Sequence, residues 1–294
     1  MIHIKKQPTP AKILHSVQKM KASDRWQSIV EGDTTYTQAI RSCFDELEYY
    51  DEVQHKNVYA KGLIRAELLK EQHYLCAYCM RQIKDDGATT KVEHYLPLSE
   101  YKYKDTALDY QNFFAVCKGG EKPKYEWPED ENGERIEPYR CCESVKGDNT
   151  ELTIDPRDQD MMEHITYTSQ GIISFEGLSD YSEDDVKAIR KDINHHLRLN
   201  GKVERLPNGE IKYLPNGDII HLDDTATRLV YGRKSTYRAL DDTLQRWRRN
   251  GKLTIAVVDK RIDEILSAEK MDEFAGVKLF LLKRERRRLL IQSN

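Results

Sequence analysis

The spacing Cys76-Ala-Tyr-Cys79 lets two thiolates reach one tetrahedral metal while the amides of the turn point at the sulfurs. Redox dithiols share this spacing. Here the flank His73-Tyr-Leu-Cys76 follows a helical pattern rather than a strand, which disfavours a thioredoxin-like role. A closed structural zinc site needs a second pair, and Cys117 with one member of the doublet Cys141-Cys142 supplies it. The acidic stretch between them is no obstacle, because closure entropy grows only logarithmically with loop length. The competing reading is four unrelated buried thiols. Cys43 lies far from this set and reads as a core residue.

Between the knuckle and Cys117 lies Val92-Glu93-His94-Tyr95-Leu96-Pro97-Leu98-Ser99. Neighbours on an extended strand face opposite sides. At a twisted strand end, however, the carboxylate can hold a divalent cation while the imidazole faces a water beside it. The cation is then a Lewis acid on a phosphate oxygen and the imidazole a general base. An isolated Glu-His pair is more often a surface carboxylate next to a half-buried histidine. This pair is not isolated. Asn112 follows in Asp109-Tyr-Gln-Asn112-Phe-Phe-Ala-Val-Cys117, and then comes Cys142-Glu143-Ser144-Val145-Lys146-Gly147.

The order CxxC, Glu-His-x-x-Pro, Asn, Cys and Cys-x-x-x-Lys-Gly resembles HNH endonucleases with the ββα-metal fold. The resemblance implies a hairpin and a helix around one catalytic cation, Mg²⁺ or Mn²⁺, propped by a structural Zn²⁺ on four cysteines. His94 matches the general base, Glu93 the acidic metal ligand and Asn112 the residue that ties the hairpin loop. Counting back from Lys146-Gly147 puts the last zinc cysteine at Cys142 and the second ligand of the catalytic cation at Glu143. Lys146 is expected on the substrate phosphate. The acidic insertion and the Cys doublet depart from the family pattern. The segments Leu68-Leu-Lys-Glu-Gln-His-Tyr-Leu-Cys76, Val92-Glu-His-Tyr-Leu-Pro97, Ile154-Asp-Pro156 and Leu197-Arg-Leu-Asn200 narrow the resemblance to the HNH subunit of Septu-type antiphage systems and of certain retron systems. That family implies an ABC/SMC-type ATPase partner, a DNA or RNA substrate, and in retron settings a reverse transcriptase with its DNA product.

These residues need elements to hold them. The pattern predicts an α+β fold that is predominantly helical, with a small β-meander beside the nuclease core. Residues 1–58 read as a helical leader and candidate partner-docking arm, with Ile13, Val17 and Met20 at helical spacing and a second helical stretch over 36–50. Residues 59–160 form the core: a helix over 58–73, strands over 92–96 and 110–116, an exposed acidic insertion over 119–138, and a short helix after Cys142. Residues 161–294 hold a hairpin (165–167 and 172–175), a helix over 183–199 capped by Ser182, and helices over 224–250 and 259–292. Between them Leu206-Pro-Asn-Gly-Glu recurs as Leu214-Pro-Asn-Gly-Asp, two turns that predict the meander.

Composition narrows the functional classes. Lys plus Arg total 47 against 50 Asp plus Glu, a net charge of −3, so bulk charge cannot coat nucleic acid and any contact must be local. No apolar run approaches the ~20 residues of a membrane span, and no apolar segment follows MIHIKKQPTP, so a cytoplasmic protein without membrane contact is expected. Two late basic clusters stand out. One holds Arg228, Arg233, Lys234, Arg238, Arg246, Arg248, Arg249 and Lys252, and the other Lys283, Arg284 and Arg286 to Arg288. They suit phosphate or an acidic protein surface equally. The main alternative to a nuclease is a non-catalytic zinc-stabilised binding module, which needs the cysteines but not Glu93, His94 or Glu143.

Overall fold

In the computed structural model, residues 33–35, 121–123, 127–128, 130–131, 136–138, 178, 202–205, 208–211, 213–223 and 294 lie outside the described residues. The meander and parts of the acidic insertion fall there. The extended start of the chain is bonded to the interior, with Ile4 N donating to Pro156 O at 2.8 Å. Three helices follow: α1 (Ala11–Lys21), α2 (Asp24–Glu31) and α3 (Tyr36–Asp45). Ser23 caps α2 by accepting from Trp26 N.

The leader then forms a hairpin, β1 (Glu48–Asp51) and β2 (Lys56–Tyr59), where the sequence suggested helix. Its turn contains neither Gly nor Pro, the usual signals. Asp51 Oδ1 instead accepts from Val53 N and Gln54 N, both at 2.9 Å, and His55 takes the positive φ of 52°.

Helix α4 (Ala60–Glu71) buries Ile64, Leu68 and Leu69 against the antiparallel pair β3 (Thr90–His94) and β4 (Phe113–Cys117). The register sets Thr90 opposite Cys117 and His94 opposite Phe113. All five β4 residues are buried, as expected of a short, continuously apolar strand. The buried Gln72 side chain donates to Ala115 O (2.7 Å) and Leu75 O (2.9 Å) and accepts from Ala115 N (2.8 Å). The end of α4, the knuckle and β4 are thereby joined. Helix α5 (Glu143–Lys146) is a single turn.

Helix α6 (Gln159–Glu163) precedes the expected hairpin of β5 (Ile165–Tyr167) and β6 (Ile173–Phe175). Helix α7 (Glu183–Lys191) carries a capping box between Ser182 and Asp185 and continues as a π turn to His196. Three helices end the chain: α8 (Asp224–Arg249), α9 (Ile255–Leu266) and α10 (Ala275–Ser293). The predicted 259–292 helix is thus two. Between them Met271 N donates to His73 O (3.1 Å) and Phe274 N to Met80 O (3.0 Å), so bonds to the knuckle replace helical ones. The fold is mixed α+β, about half helical, and its sheets among the described residues are two-stranded. No described helix is long and apolar enough to cross a membrane.

Candidate active site

Three segments converge on one set of four sulfurs. Cys76 and Cys79 come from the turn after α4, Cys117 ends β4, and Cys142 immediately precedes α5. Their sulfurs all lie within 4.8 Å of one another and all four residues are buried. Cys76 Sγ is 3.9 Å from Cys142 Sγ, and Cys79 Sγ is 3.7 Å from Cys117 Sγ. A tetrahedron with Zn–S bonds of ~2.3 Å has edges of about 3.8 Å. The donor set therefore fits zinc in chemistry and in size. Cys117 N donates to Cys76 Sγ at 3.3 Å, the amide-to-sulfur bond expected at such a knuckle. Cys141 Sγ lies outside the four-sulfur group, 3.7 Å from Cys142 Sγ.

Two contributors escaped the sequence reading. The Arg81 guanidinium lies 3.4 Å from Cys117 Sγ and 3.8 Å from Cys141 Sγ, where it offsets thiolate charge. Gly119 has φ +59°, and a Cβ there would collide with the Cys141 carbonyl oxygen. Only glycine lets the chain return beside the cysteine doublet.

Beside this centre a cleft of about 550 Å³ opens over β3 and α5. Glu93, His94 and Glu143 all line it. The His94 ring packs edge-on against Phe44 (centroids 4.9 Å apart) and Phe113 (4.7 Å). Its Nε2 lies 3.0 Å from Ala107 O. A carbonyl only accepts, so Nε2 carries the hydrogen and Nδ1 keeps a lone pair. Burial holds the imidazole pKa down to about 3, against the Ala107 carbonyl, which raises it; the cations Lys146, Arg41 and Lys61 lower it further. His94 is therefore neutral at pH 7.

Asn112 is buried and spans the loop between the strands. Its Oδ1 accepts from Leu96 N at 2.8 Å, and its Nδ2 donates to Leu96 O (3.2 Å) and Thr106 O (3.3 Å). Its role is to hold the loop behind His94 rather than to touch a ligand.

Each carboxylate has a lysine partner. Lys91 Nζ lies 2.9 Å from Glu143 Oε2, with side chains 32% and 25% exposed. Lys146 Nζ lies 2.6 Å from Glu93 Oε1 and donates to His94 O (2.8 Å) and Tyr95 O (3.0 Å), with its side chain only 3% exposed. Lys146, expected on the substrate phosphate, lines the same cleft, with its ammonium engaged by Glu93 and two carbonyls so that it ties α5 to the end of β3. Burial raises the Glu93 pKa, and the Lys146 ammonium opposes that rise. Among the described residues, groups of three or more convergent metal-ligand side chains are confined to the four cysteines.

The cleft's cationic wall also went unread. Arg41 comes from α3, Lys61 from α4, Lys91 from β3 and Arg140 from the segment before the doublet. The leader thus supplies part of the cleft. The late basic clusters are partly spent internally. Arg233 is fully buried, donating to Gly171 O (2.7 Å) and Leu199 O (2.8 Å). Arg248 and Arg288 both bind Glu285, and Arg286 binds Asp259 at 2.6 Å. No family model matches the chain, and no curated protein matches it.

Proposed function

We propose that this chain is an HNH-type endonuclease that hydrolyses nucleic-acid phosphodiesters with a divalent cation. One observation carries the reading. A single cleft gathers Glu93, His94 and Glu143, and it lies on elements that end at the four-cysteine centre. In this reading the four cysteines hold structural Zn²⁺, while Glu93 and Glu143 hold Mg²⁺ or Mn²⁺. Two carboxylates are the hard-oxygen donors such ions take, with water completing the shell. When bound, the cation supplies Lewis-acid stabilisation at a phosphate oxygen. His94 Nδ1 takes the proton of the attacking water, and Ala107 O together with the two phenylalanine edges fixes the ring for that task. A phosphodiester in the cleft brings negative charge that raises the depressed His94 pKa and strengthens the base. Arg41, Lys61, Lys91 and Arg140 supply the positive wall that draws the backbone in.

The ABC/SMC-type ATPase partner, the defence role and the retron association rest on the sequence resemblance alone. A second reading, a zinc-stabilised binding module, is favoured by one observation: both cleft carboxylates are neutralised by lysines. Cleavage separates the two. Purified protein, with and without its partner, is incubated with DNA and with RNA in Mg²⁺ or Mn²⁺ beside a His94→Ala control. The nuclease reading expects cleavage that the substitution lowers ~10²–10⁴-fold. Equal cleavage by both proteins rejects His94 as the base, and binding without cleavage favours the module.

A further inference from the structure

The two lysines on the cleft carboxylates are not equivalent. Lys146 is buried at 3% exposure and bonded to two backbone carbonyls besides Glu93, so it belongs to the scaffold. Lys91 is ten times more exposed, at 32%, and its Glu143 partner is 25% exposed. Lys91 and Glu93 are two apart on β3, so they project from the same face of the strand, and both line the cleft. A four-carbon stem there can move its ammonium several ångströms without moving the backbone.

Resting on the nuclease reading above, we infer that Lys91 is an internal counter-ion that exchanges places with the catalytic cation. Without the cation, the ammonium neutralises Glu143. Glu143 would find a stronger partner in a divalent cation, whose charge would repel both ammonium groups; Lys146 is retained by the His94 and Tyr95 carbonyls, and the more exposed Lys91 is the one that yields. The ammonium leaves Glu143 and turns to the remaining anion in the cleft, the substrate phosphodiester. The exchange makes and breaks only ionic contacts. It keeps the carboxylate pair neutral at rest and couples cation binding to substrate binding. Lys91 thereby takes a phosphate role while Lys146 stays engaged with Glu93 and two carbonyls.

The exchange predicts opposite effects of one substitution. In zinc-loaded full-length protein, Lys91→Met removes a competitor of the cation, so Mn²⁺ binding measured by calorimetry should tighten about fivefold. The same substitution removes one phosphate contact, but only once the cation is present. In a His94→Ala background that does not cleave, oligonucleotide affinity is measured against salt. With Mn²⁺, Lys91→Met should flatten the slope of log K against log [salt] by ~0.7–0.9. Without Mn²⁺ the slope should be unchanged. Lys91→Gln repeats both measurements, and zinc content reports that each variant is folded. Mn²⁺ binding that is no tighter in either variant overturns the exchange, as does a slope change that is the same with and without Mn²⁺. If Glu143→Gln still weakens Mn²⁺ in that case, the cation site of the nuclease reading stands and only the exchange falls. If the wild-type protein binds no Mn²⁺ at all, both fall together.

Discussion

Lys146→Met tests whether the Glu93-bound lysine is scaffold. The substitution keeps the length of the side chain but removes an ammonium that lies 2.6 Å from Glu93, 2.8 Å from His94 O and 3.0 Å from Tyr95 O. What remains is a carboxylate that is only 13% exposed and has lost its partner. Breaking a buried pair from one side typically costs ~3–5 kcal/mol, because the surviving charge is left uncompensated. A lysine serving only an external phosphate would cost less than about 0.5 kcal/mol. Urea unfolding at pH 7 with zinc in fixed excess measures the difference as a midpoint shift at constant slope. Glu93→Gln added to Lys146→Met removes the stranded charge, so the double variant should recover about 2 kcal/mol of the loss. A single-variant loss below about 1 kcal/mol, or a double variant less stable than the single, refutes the scaffold role.

Three further outcomes follow from the same geometry. Cys142→Ser should release zinc and leave poorly soluble protein, whereas Cys141→Ser should keep a full equivalent by metal analysis; the reverse result would place Cys141 in the site. Gly119→Ala meets both a left-handed φ and the Cys141 carbonyl, so thermal unfolding should show a loss above ~2 kcal/mol, and a wild-type midpoint contradicts it. His94 titrates near 3 when folded and near 6.5 when unfolded, so the unfolded chain binds the extra proton between these values. Its contribution to stability is complete above pH 6.5 and is lost as pH falls toward 3, at most ~1.4 kcal/mol per pH unit. Between pH 7 and 5 a His94→Gln variant should therefore lose stability less steeply than wild type, and parallel curves would refute the depressed pKa.

The four thiols were legible because a tetrahedral metal demands cysteines in pairs, and the chain offers few others. Helix α7 and the β5–β6 hairpin were legible from local signals, a capping Ser182 and the turn glycine Gly171 at φ +82°. The parts that escaped depend on tertiary direction. Nothing near Lys146 tells which way a side chain on a four-residue helix points. Its direction is set by Glu93 and the His94 and Tyr95 carbonyls, partners more than fifty residues away. Lys91 carries no motif, and only the packing of α5 beside β3 brings Glu143 to it. The leader was read without a site. Its Arg41 nevertheless lines the cleft, because α3 packs on α4 and sets Phe44 against His94 and Phe113, a contact between distant residues that no short window records.

The four-cysteine centre and the cleft are mechanically one unit. Strand β4 ends on one of the four clustered cysteines, Cys117, while its other end faces His94 across the ladder, four residues and about 13 Å away. Helix α5 begins one residue after another of the four, Cys142, and its first residue is Glu143. A non-glycine residue at positive φ is held at some cost, and Cys142 sets against it a backbone bond to Leu197 O at 2.9 Å, the bonds its carbonyl accepts from Val145 N (3.3 Å) and Lys146 N (3.2 Å), and the contact of its sulfur with the others. A metal bond at that sulfur would supply further restraint. The same bond would aim Glu143 toward the cleft and anchor the far end of the ladder that presents His94. The elements here are short, two five-residue strands and a four-residue helix, and a bond joining their ends would add restraint to the packing of α4 on the strands. A crosslinking ion at their meeting point would let a small αβ core keep Glu93, His94 and Glu143 around one cleft.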